Sequence, residues 1–326
     1  MRRLLLTAAA VTAAALTLTS CGTTEPAATD SAKGSAPISL TDASGTKVRL
    51  DRPATDVVGT EWNVVESLLA LGVDPVGVAD VKGYRTWDTS APLKNDPKDI
   101  GTRGEPSMDT IASLSPDLIV ATTDLPASAV KQLRRIAPVL QLKSADGSDQ
   151  IGLMKENLDL IAEATGTEEQ AEKAGKRFDA KLAQGKKALA DAGLAGTEIA
   201  FADGYVTSNQ VSIRPYTSGS LIGAVNEAIG LKNAWTVKGD ESYGLAATDV
   251  EGLTALGDGV RFAYIGSDGD KNSTPFTGAL AENSVWKSLP FVKAGDVHRL
   301  DDGIWMFGGP GSMEAYVDSL VEALTK

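Results

Sequence analysis

The chain has 326 residues, and its 43 acidic side chains outnumber its 31 lysines and arginines, which gives a formal net charge of −12. This acidic balance argues against nucleic acid and against anionic lipid as partners of the folded surface. With one cysteine and one histidine, the chain cannot form an internal disulfide and has too few soft ligands for a transition-metal site of its own.

Residues 1–20 predict a secretory signal peptide. Arg2 and Arg3 precede an apolar run that is too short for a comfortable membrane span, and their loss with the signal takes the net charge from −12 to −14. The run ends in the sequence LTSC, which resembles the lipobox of bacterial lipoproteins, in which Cys21 becomes the lipidated N-terminus. The alternative is an ordinary signal peptide in which Cys21 is incidental.

Residues 21–38 predict a lipidated cysteine followed by a flexible tether. They are rich in Thr, Ser, Ala, Pro and Gly and show no apolar periodicity. We therefore expect an extracytoplasmic lipoprotein that is anchored to the outer face of the cell membrane and contacts the membrane through its lipid alone.

The rest of the chain predicts two α/β lobes, at residues 39–150 and 196–326, with a helical segment at residues 151–195 between them. In both lobes short apolar strands alternate with helices, which predicts parallel sheets covered on both faces. Residues 48–50 predict part of an edge strand, and residues 84–98 predict a long surface loop. A helix of about 24 residues after Thr167 is long enough, at about 1.5 Å per residue, to join the lobes.

The segment from residue 100 to residue 120 predicts where a ligand binds. Its loop GTRGEP presents Arg103, and Pro106 suits the first position of a helix. Met108, Ile111 and Leu114 follow at helical spacing, and residues 118–120 form the apolar run of a buried parallel strand. We expect Arg103 to meet a ligand at a loop between α/β elements.

Catalytic patterns are lacking in the sequence. There is no Gly-x-Ser-x-Gly elbow, no phosphate-binding loop and no pair of histidines. His298 lies within a predicted strand, where a structural role is the more common one, and the pair Asp268 and Asp270 is too short for a calcium loop and predicts a turn. The sequence therefore indicates a binding protein and not an enzyme.

Aromatic residues make up 5% of the chain, yet several lie in predicted loops. Large amphipathic rings joined by an arginine suit a cleft that buries a partly apolar ligand. For each ring, the alternative is that it packs a loop onto the core, and Trp286 is assigned to the core on this basis. The candidate ring residues are Trp62, Trp87, Trp235, Tyr243, Trp305 and Phe307.

Three segments together resemble one family over almost the whole mature chain. They are residues 101–106 with 116–119, residues 220–235 with 243–244, and residues 286–308. The chain resembles the substrate-binding lipoproteins of iron-siderophore ABC importers, and among them the ferric-hydroxamate branch that binds ferrichrome and ferrioxamine. The resemblance implies two Rossmann-like lobes joined by one long helix, which is the class III binding-protein fold, with the ligand in a shallow cleft between the lobes.

The resemblance also implies the partners. The ligand is a ferric siderophore that carries Fe(III) within it, so that no cofactor is bound directly. Delivery is to an ABC permease with its ATPase, and the protein is expected to be a monomer. Asp109 and Glu251 align with acidic residues that pair with arginines of the permease.

Position by position, the resemblance assigns the ligand site. Arg103 matches the arginine that hydrogen-bonds the hydroxamate oxygens, and Trp87 matches an aromatic residue on the wall of the first lobe. Tyr243 stands where tryptophan is usual, and Trp305 and Phe307 match aromatic residues of the second lobe.

The chain departs from the family at one position of this site. The family tyrosine that shares the hydroxamate with the arginine should fall within residues 121–127, where Asp124 or Leu125 stands instead. Tyr205 and Arg214, placed in loops of the second lobe, are the candidates to replace it.

Other functions stay open on the sequence alone. The same fold could hold a catecholate siderophore, haem or vitamin B12. Catecholate complexes carry several negative charges and favour several basic residues, of which Arg103 and Arg214 are the evident ones. A lipid-anchored enzyme is the alternative from another class, against which the absence of a nucleophile–base pair argues.

Overall fold

The structure is a computed structural model that describes residues 37–208 and 210–326. The predicted signal peptide, Cys21 and nearly all of the predicted tether lie outside the described residues. Among the helices of the described part, none is both long enough and apolar enough to cross a membrane.

The first part of the chain folds around a five-stranded parallel sheet with the strand order β5-β4-β3-β6-β7. Its strands are β3 (Val57–Gly59), β4 (Gly77–Val78), β5 (Lys98–Asp99), β6 (Leu118–Thr122) and β7 (Val139–Leu142). Its helices are α1 (Trp62–Ala70), α2 (Val81–Trp87), α3 (Met108–Leu114) and α4 (Ala127–Leu133). All five residues of β6 are buried, as expected for an inner strand with helices on both faces.

A separate antiparallel pair precedes this sheet: β1 (Ile38–Thr41) and β2 (Lys47–Leu50). The edge strand predicted at residues 48–50 therefore exists, as one strand of this two-stranded sheet. We call the part from β1 to β7 the N-terminal lobe.

Two helices follow, α5 (Gln150–Thr165) and α6 (Glu168–Asp191). The length of α6, 24 residues, confirms the helix predicted after Thr167. Thr167 occupies the N-cap position, but its hydroxyl makes no capping bond and instead lies 2.8 Å from the hydroxyl of Thr165.

The last part of the chain, which we call the C-terminal lobe, contains a second five-stranded sheet. Four strands run parallel in the order β10-β8-β11-β12, and β9 pairs antiparallel with β8. The strands are β8 (Glu198–Thr207), β9 (Gln210–Pro215), β10 (Lys232–Asn233), β11 (Arg261–Tyr264) and β12 (Val297–Arg299). The helices are α7 (Leu221–Ala228), α8 (Ser284–Ser288), α9 (Pro290–Ala294) and α10 (Pro310–Thr325).

This α/β architecture with two parallel sheets is the predicted fold class. The sheets lie within residues 57–142 and 198–299. The domain boundaries at residues 150 and 195 stay a prediction.

Three local predictions are wrong. Residues 84–98 are not all loop, because α2 continues to Trp87, and the carboxylate of Asp80 caps this helix by accepting the N–H of Gly83. Pro106 precedes α3 and does not begin it, since Ser107 is the N-cap and accepts the N–H of Thr110.

The third error concerns Tyr205 and Arg214. They lie on the paired strands β8 and β9 and not in loops. Pairing with β8 satisfies the backbone groups of β9 and holds both side chains on a regular surface.

A buried polar contact between α1 and α10 joins the two lobes. Glu66 of α1 is fully buried, and its Oε1 accepts the N–H of Ser312 at 2.7 Å, in the first turn of α10. The N-cap residue of α10, Gly309, has no side chain to accept such a bond, so a carboxyl group from the other lobe caps this helix. A Cβ at Gly308 would lie 2.3 Å from Oε2 of Glu66, so this close approach requires glycine.

A second buried acid, Asp88, belongs to the same contact, and its Oδ1 accepts the hydroxyl of Ser312 at 3.4 Å. Burial and the negative charge of Glu66 raise the pKa of Asp88 to about 9. Burial also raises the pKa of Glu66, which the hydrogen bonds from Ser312 and Gly309 oppose. The buried pair of Glu66 and Asp88 therefore holds a proton at neutral pH, which relieves the like-charge repulsion between the two acids.

The raised pKa of Asp88 predicts a stability that depends on pH. In the unfolded chain the pKa of an aspartate is about 3.9, so between about pH 4 and pH 9 the folded state holds more protons, and the free energy of unfolding decreases as the pH rises. In Asp88→Asn the side chain is neutral at every pH, and this contribution should disappear.

Urea unfolding of both proteins at several values between about pH 5 and pH 9 measures the effect. We expect the wild-type protein to lose up to about 1 kcal/mol per pH unit relative to Asp88→Asn. Parallel curves for the two proteins would show that Asp88 is ionised in the folded state.

Candidate functional site

A cavity of about 650 Å³ lies between the N-terminal and C-terminal lobes. Residues just beyond the carboxyl ends of β3, β6 and β11 contribute to it, which is where open α/β sheets bind their ligands. Among the predicted ligand residues, the N-terminal lobe contributes Trp62, Trp87 and Arg103 to the lining. The C-terminal lobe contributes Tyr205, Arg214, Tyr243, Trp305 and Phe307.

An aromatic wall crosses from one lobe to the other. Trp62 begins α1, and its indole N–H donates to the carbonyl of Ala79 at 3.0 Å, which fixes the ring. The ring centroid of Trp305, in the loop before α10, lies 4.7 Å from that of Trp62 and 5.2 Å from that of Phe307. These edge-on contacts form a continuous aromatic wall, in which Trp62 is buried and Trp305 and Phe307 are partly exposed.

Arg103 lies against this wall. Its guanidinium carbon is 4.2 Å from the centroid of Trp62 and 5.3 Å from that of Trp305, within the range of cation–π attraction. One nitrogen donates to Oε2 of Glu61 at 3.2 Å. In the described residues its other N–H groups have no protein acceptor, so they are available to a ligand.

Burial raises the pKa of Glu61, and the adjacent Arg103 partly offsets this rise. The ion pair is partly exposed, with 36% of the Arg103 side chain and 21% of the Glu61 side chain accessible. Its contribution to stability is accordingly small.

A second guanidinium, that of Arg214, faces the cavity from β9. It binds both carboxylate oxygens of Asp203 on β8, with its Nε 2.9 Å from Oδ1. It also lies 5.3 Å from the ring centroid of Phe307 and donates to the hydroxyl of Tyr216 at 3.1 Å. Arg214 is thus held by a bidentate pair and a stacked ring.

Asp124 and Tyr243 connect the two lobes across the cavity. Asp124 follows β6, and its Oδ2 accepts the hydroxyl of Tyr243. Burial and this bond raise the pKa of Tyr243, so its phenol is neutral. The position where a family tyrosine was expected therefore holds a carboxylate, and a tyrosine hydroxyl reaches it from the opposite lobe.

One predicted ligand residue lies elsewhere. Trp235 does not line the cavity; it packs against the core of the C-terminal lobe, and its indole N–H donates to the carbonyl of Phe201 at 2.8 Å. Trp235 faces the core because the carbonyl of Phe201 on β8 accepts its indole N–H there. Trp286 is buried in the same core, as predicted.

The sequence prediction missed several lining residues, among them Glu61, Asp203 and Met306. The two acids matter because each pairs with a predicted arginine. No local pattern marks them, since Glu61 and Arg103 are 42 positions apart in sequence.

No group of three or more His, Cys, Asp or Glu side chains within the described ranges is arranged to hold a metal ion. His298 lies on β12, away from the cavity lining. The lining of the cavity offers rings, guanidinium donors and carboxylates for the recognition of a molecule.

The chain belongs to the periplasmic binding protein family, whose pattern matches residues 57–303. One relative is the iron(3+)-hydroxamate-binding protein FhuD of Escherichia coli (strain K12), which is 26% identical over 272 residues, or 82% of this chain and 86% of that one. Another is the putative ABC transporter substrate-binding lipoprotein YhfQ of Bacillus subtilis (strain 168), which is 30% identical over 258 residues, or 76% of each chain.

A solved structure has the same fold. The siderophore-binding protein FhuD from Vibrio cholerae, in its complex with Fe3+ and Desferal, superposes with a TM-score of 0.74 at 24% identity and covers 83% of this chain and 98% of its own. These comparisons confirm the predicted family and the two-lobed fold.

Proposed function

We propose that this protein is the extracytoplasmic binding protein of an ABC importer and that it captures ferric siderophores, with ferric hydroxamates as its ligands. The observation that carries the proposal is Arg103, which lies against the aromatic wall inside a cavity between two lobes and, among the residues that the structure describes, has N–H donors without a protein acceptor. The named relatives are binding proteins, one of them for iron(3+)-hydroxamates, and this supports a binding role over that of a lipid-anchored enzyme.

The chemistry of the cavity suits a metal that arrives already coordinated. A hexadentate siderophore surrounds Fe(III) with hard oxygen ligands, so the protein has to recognise only the outer surface of the complex. A guanidinium donates to clustered oxygens of such a complex, and tryptophan rings cover its hydrocarbon linkers. A cavity of about 650 Å³ is within the usual size of small-molecule sites.

Titration of the intrinsic tryptophan fluorescence tests the proposal, because Trp62, Trp87 and Trp305 line the cavity. Ferrioxamine and ferrichrome should quench the fluorescence with micromolar or tighter affinity. Haem, cobalamin and a ferric tricatecholate are the comparison ligands. If no ferric hydroxamate binds in this range, the proposal fails.

We expect the replacement of Arg103 to weaken ligand binding without unfolding the protein. Arg103→Ala should weaken ferric-hydroxamate binding by about tenfold or more, because charge-assisted hydrogen bonds to the ligand are lost. Its free energy of unfolding should fall by no more than about 1 kcal/mol, since the bond to Glu61 is partly exposed.

The matched control is Arg85→Ala, which removes an exposed arginine of α2 that pairs with Asp96 outside the cavity. It should bind as the wild-type protein does. Equal losses in both variants, or a large loss of stability in Arg103→Ala, would contradict the assignment.

We further propose that Asp109 and Glu251 dock the protein onto the permease. Asp109 is exposed in the first turn of α3, and Glu251 is exposed just before a short 3₁₀ turn, Gly252–Ala255. Within the part of the chain that the structure describes, neither carboxylate forms an ion pair, so both are available to cationic side chains of a partner.

Charge reversal separates docking from ligand binding. Asp109→Lys and Glu251→Lys should abolish most siderophore uptake by cells while ligand affinity stays within about twofold, because neither residue lines the cavity. Asp159→Lys, at an exposed position of α5, is the control and should transport normally. Normal uptake by a variant that carries both substitutions would show that neither residue takes part in docking.

We also propose that Cys21 carries the lipid anchor, on the basis of the signal and lipobox sequence. Cys21→Ser should release the protein from the membrane fraction into the medium or periplasm, since a tether without a lipid has no membrane affinity. Fractionation and immunoblotting measure this. Retention of Cys21→Ser in the membrane fraction would show that another feature anchors the chain.

A further inference from the structure

The cavity lining has more carboxylates than cationic side chains. They are the carboxylates of Glu61, Asp124 and Asp203 and the guanidiniums of Arg103 and Arg214. Each guanidinium is paired with one carboxylate, Arg103 with Glu61 and Arg214 with Asp203. One carboxylate therefore remains without a cation.

That carboxylate is Asp124. It is exposed to the cavity, and the partner of its Oδ2 is the neutral hydroxyl of Tyr243. Across residues 37–208 and 210–326, no lysine or arginine nitrogen comes within 4.0 Å of it. Its backbone N–H donates to the hydroxyl of Ser144 at 3.0 Å, which holds the residue in place.

A net negative cavity discriminates between ferric complexes by charge. Three hydroxamate groups cancel the charge of Fe(III) and leave a neutral complex, whereas three catecholate groups leave three negative charges. An anionic complex is repelled by the unpaired carboxylate, and the positive charges of Arg103 and Arg214, which could offset this repulsion, are already balanced by Glu61 and Asp203. A pendant ammonium group on a neutral iron centre, in contrast, adds an attraction to Asp124.

We propose that the cavity selects neutral and cationic ferric siderophores over anionic ones and that Asp124 is the specificity-determining residue, which binds a pendant ammonium group of the ligand. The inference rests on the proposed siderophore-binding function and adds the charge class of the ligand to it.

Two ligands that differ in one charge test the inference. Ferrioxamine B carries a pendant primary amine that is protonated at neutral pH, and acetylation of this amine gives a neutral complex with the same iron centre. The wild-type protein should bind the amine form about three- to tenfold more tightly at low salt. The preference should shrink as the ionic strength rises, because the carboxylate is exposed.

Three variants separate charge recognition from structure. Asp124→Asn should bind both forms about equally, since it keeps an oxygen acceptor for Tyr243 but has no charge. Tyr243→Phe removes the bond across the cavity but keeps the carboxylate, so it should retain the preference even if both ligands bind more weakly. Asp159→Asn, on the exposed face of α5, changes the net charge of the protein outside the cavity and should retain the full preference.

Failure of the charge selection and failure of the proposed function give different results. If the wild-type protein binds the two forms equally, or if Asp124→Asn keeps the preference, the charge selection is wrong while the proposed function stands. Tighter binding of a ferric tricatecholate than of ferrioxamine B would also overturn the selection. If neither form of ferrioxamine B and no other ferric hydroxamate binds, the proposed function itself fails.

Discussion

The capping of α10 by Glu66 is the contact on which the geometry of the cavity depends. Glu66 lies one turn after Trp62 on α1, and the chain segment just before α10 carries Trp305 and Phe307. The same two elements therefore form the buried polar joint between the lobes and the aromatic wall of the cavity. Because a helix N-terminus without a cap leaves buried N–H groups unsatisfied, the joint strongly favours one arrangement of the two elements. A ligand meets a wall that is already ordered, which reduces the entropy cost of binding.

The pairing of each guanidinium with a carboxylate determines the charge of the cavity lining. Both guanidiniums are paired with carboxylates and lie against aromatic rings, so they present hydrogen-bond donors without giving the cavity a net positive charge. Such a surface binds the polarised oxygens of a neutral ligand better than it attracts a ligand with several negative charges. The two-lobed fold occurs with many ligands, and the distribution of charge over the cavity lining, more than the fold, decides which one is bound.

Local patterns in the sequence predicted the regular elements well. A run of apolar residues predicts the strand β6. A segment rich in Ala, Lys and Glu that follows a turn predicts the helix α6. The helix α2 was missed because its sequence is polar and short, and its formation depends on the capping by Asp80 and the burial of Tyr84. The sequence also does not predict the antiparallel pairing of β9 with β8, which takes Arg214 out of a loop.

The site was predicted in outline only. Large rings in predicted loops, together with Arg103, indicate the cavity, because aromatic residues are scarce in this chain and large apolar surfaces are costly to expose. The pairing of Asp124 with Tyr243 joins positions 119 residues apart, and no local pattern can reveal it. Trp235 is a ring that the sequence wrongly assigns to the cavity. The sequence alone does not distinguish a ring that faces a ligand from one whose N–H donates to a buried carbonyl.

A crystal structure of the protein with a bound ferric hydroxamate, in which anomalous scattering locates the iron, tests most directly whether the cavity recognises the outside of a complete iron complex. We predict one iron peak between the lobes, with only siderophore oxygens as ligands and with the guanidinium of Arg103 hydrogen-bonded to hydroxamate oxygens. An iron peak outside the cavity, or a protein carboxylate coordinated to the iron, would contradict this mode of recognition.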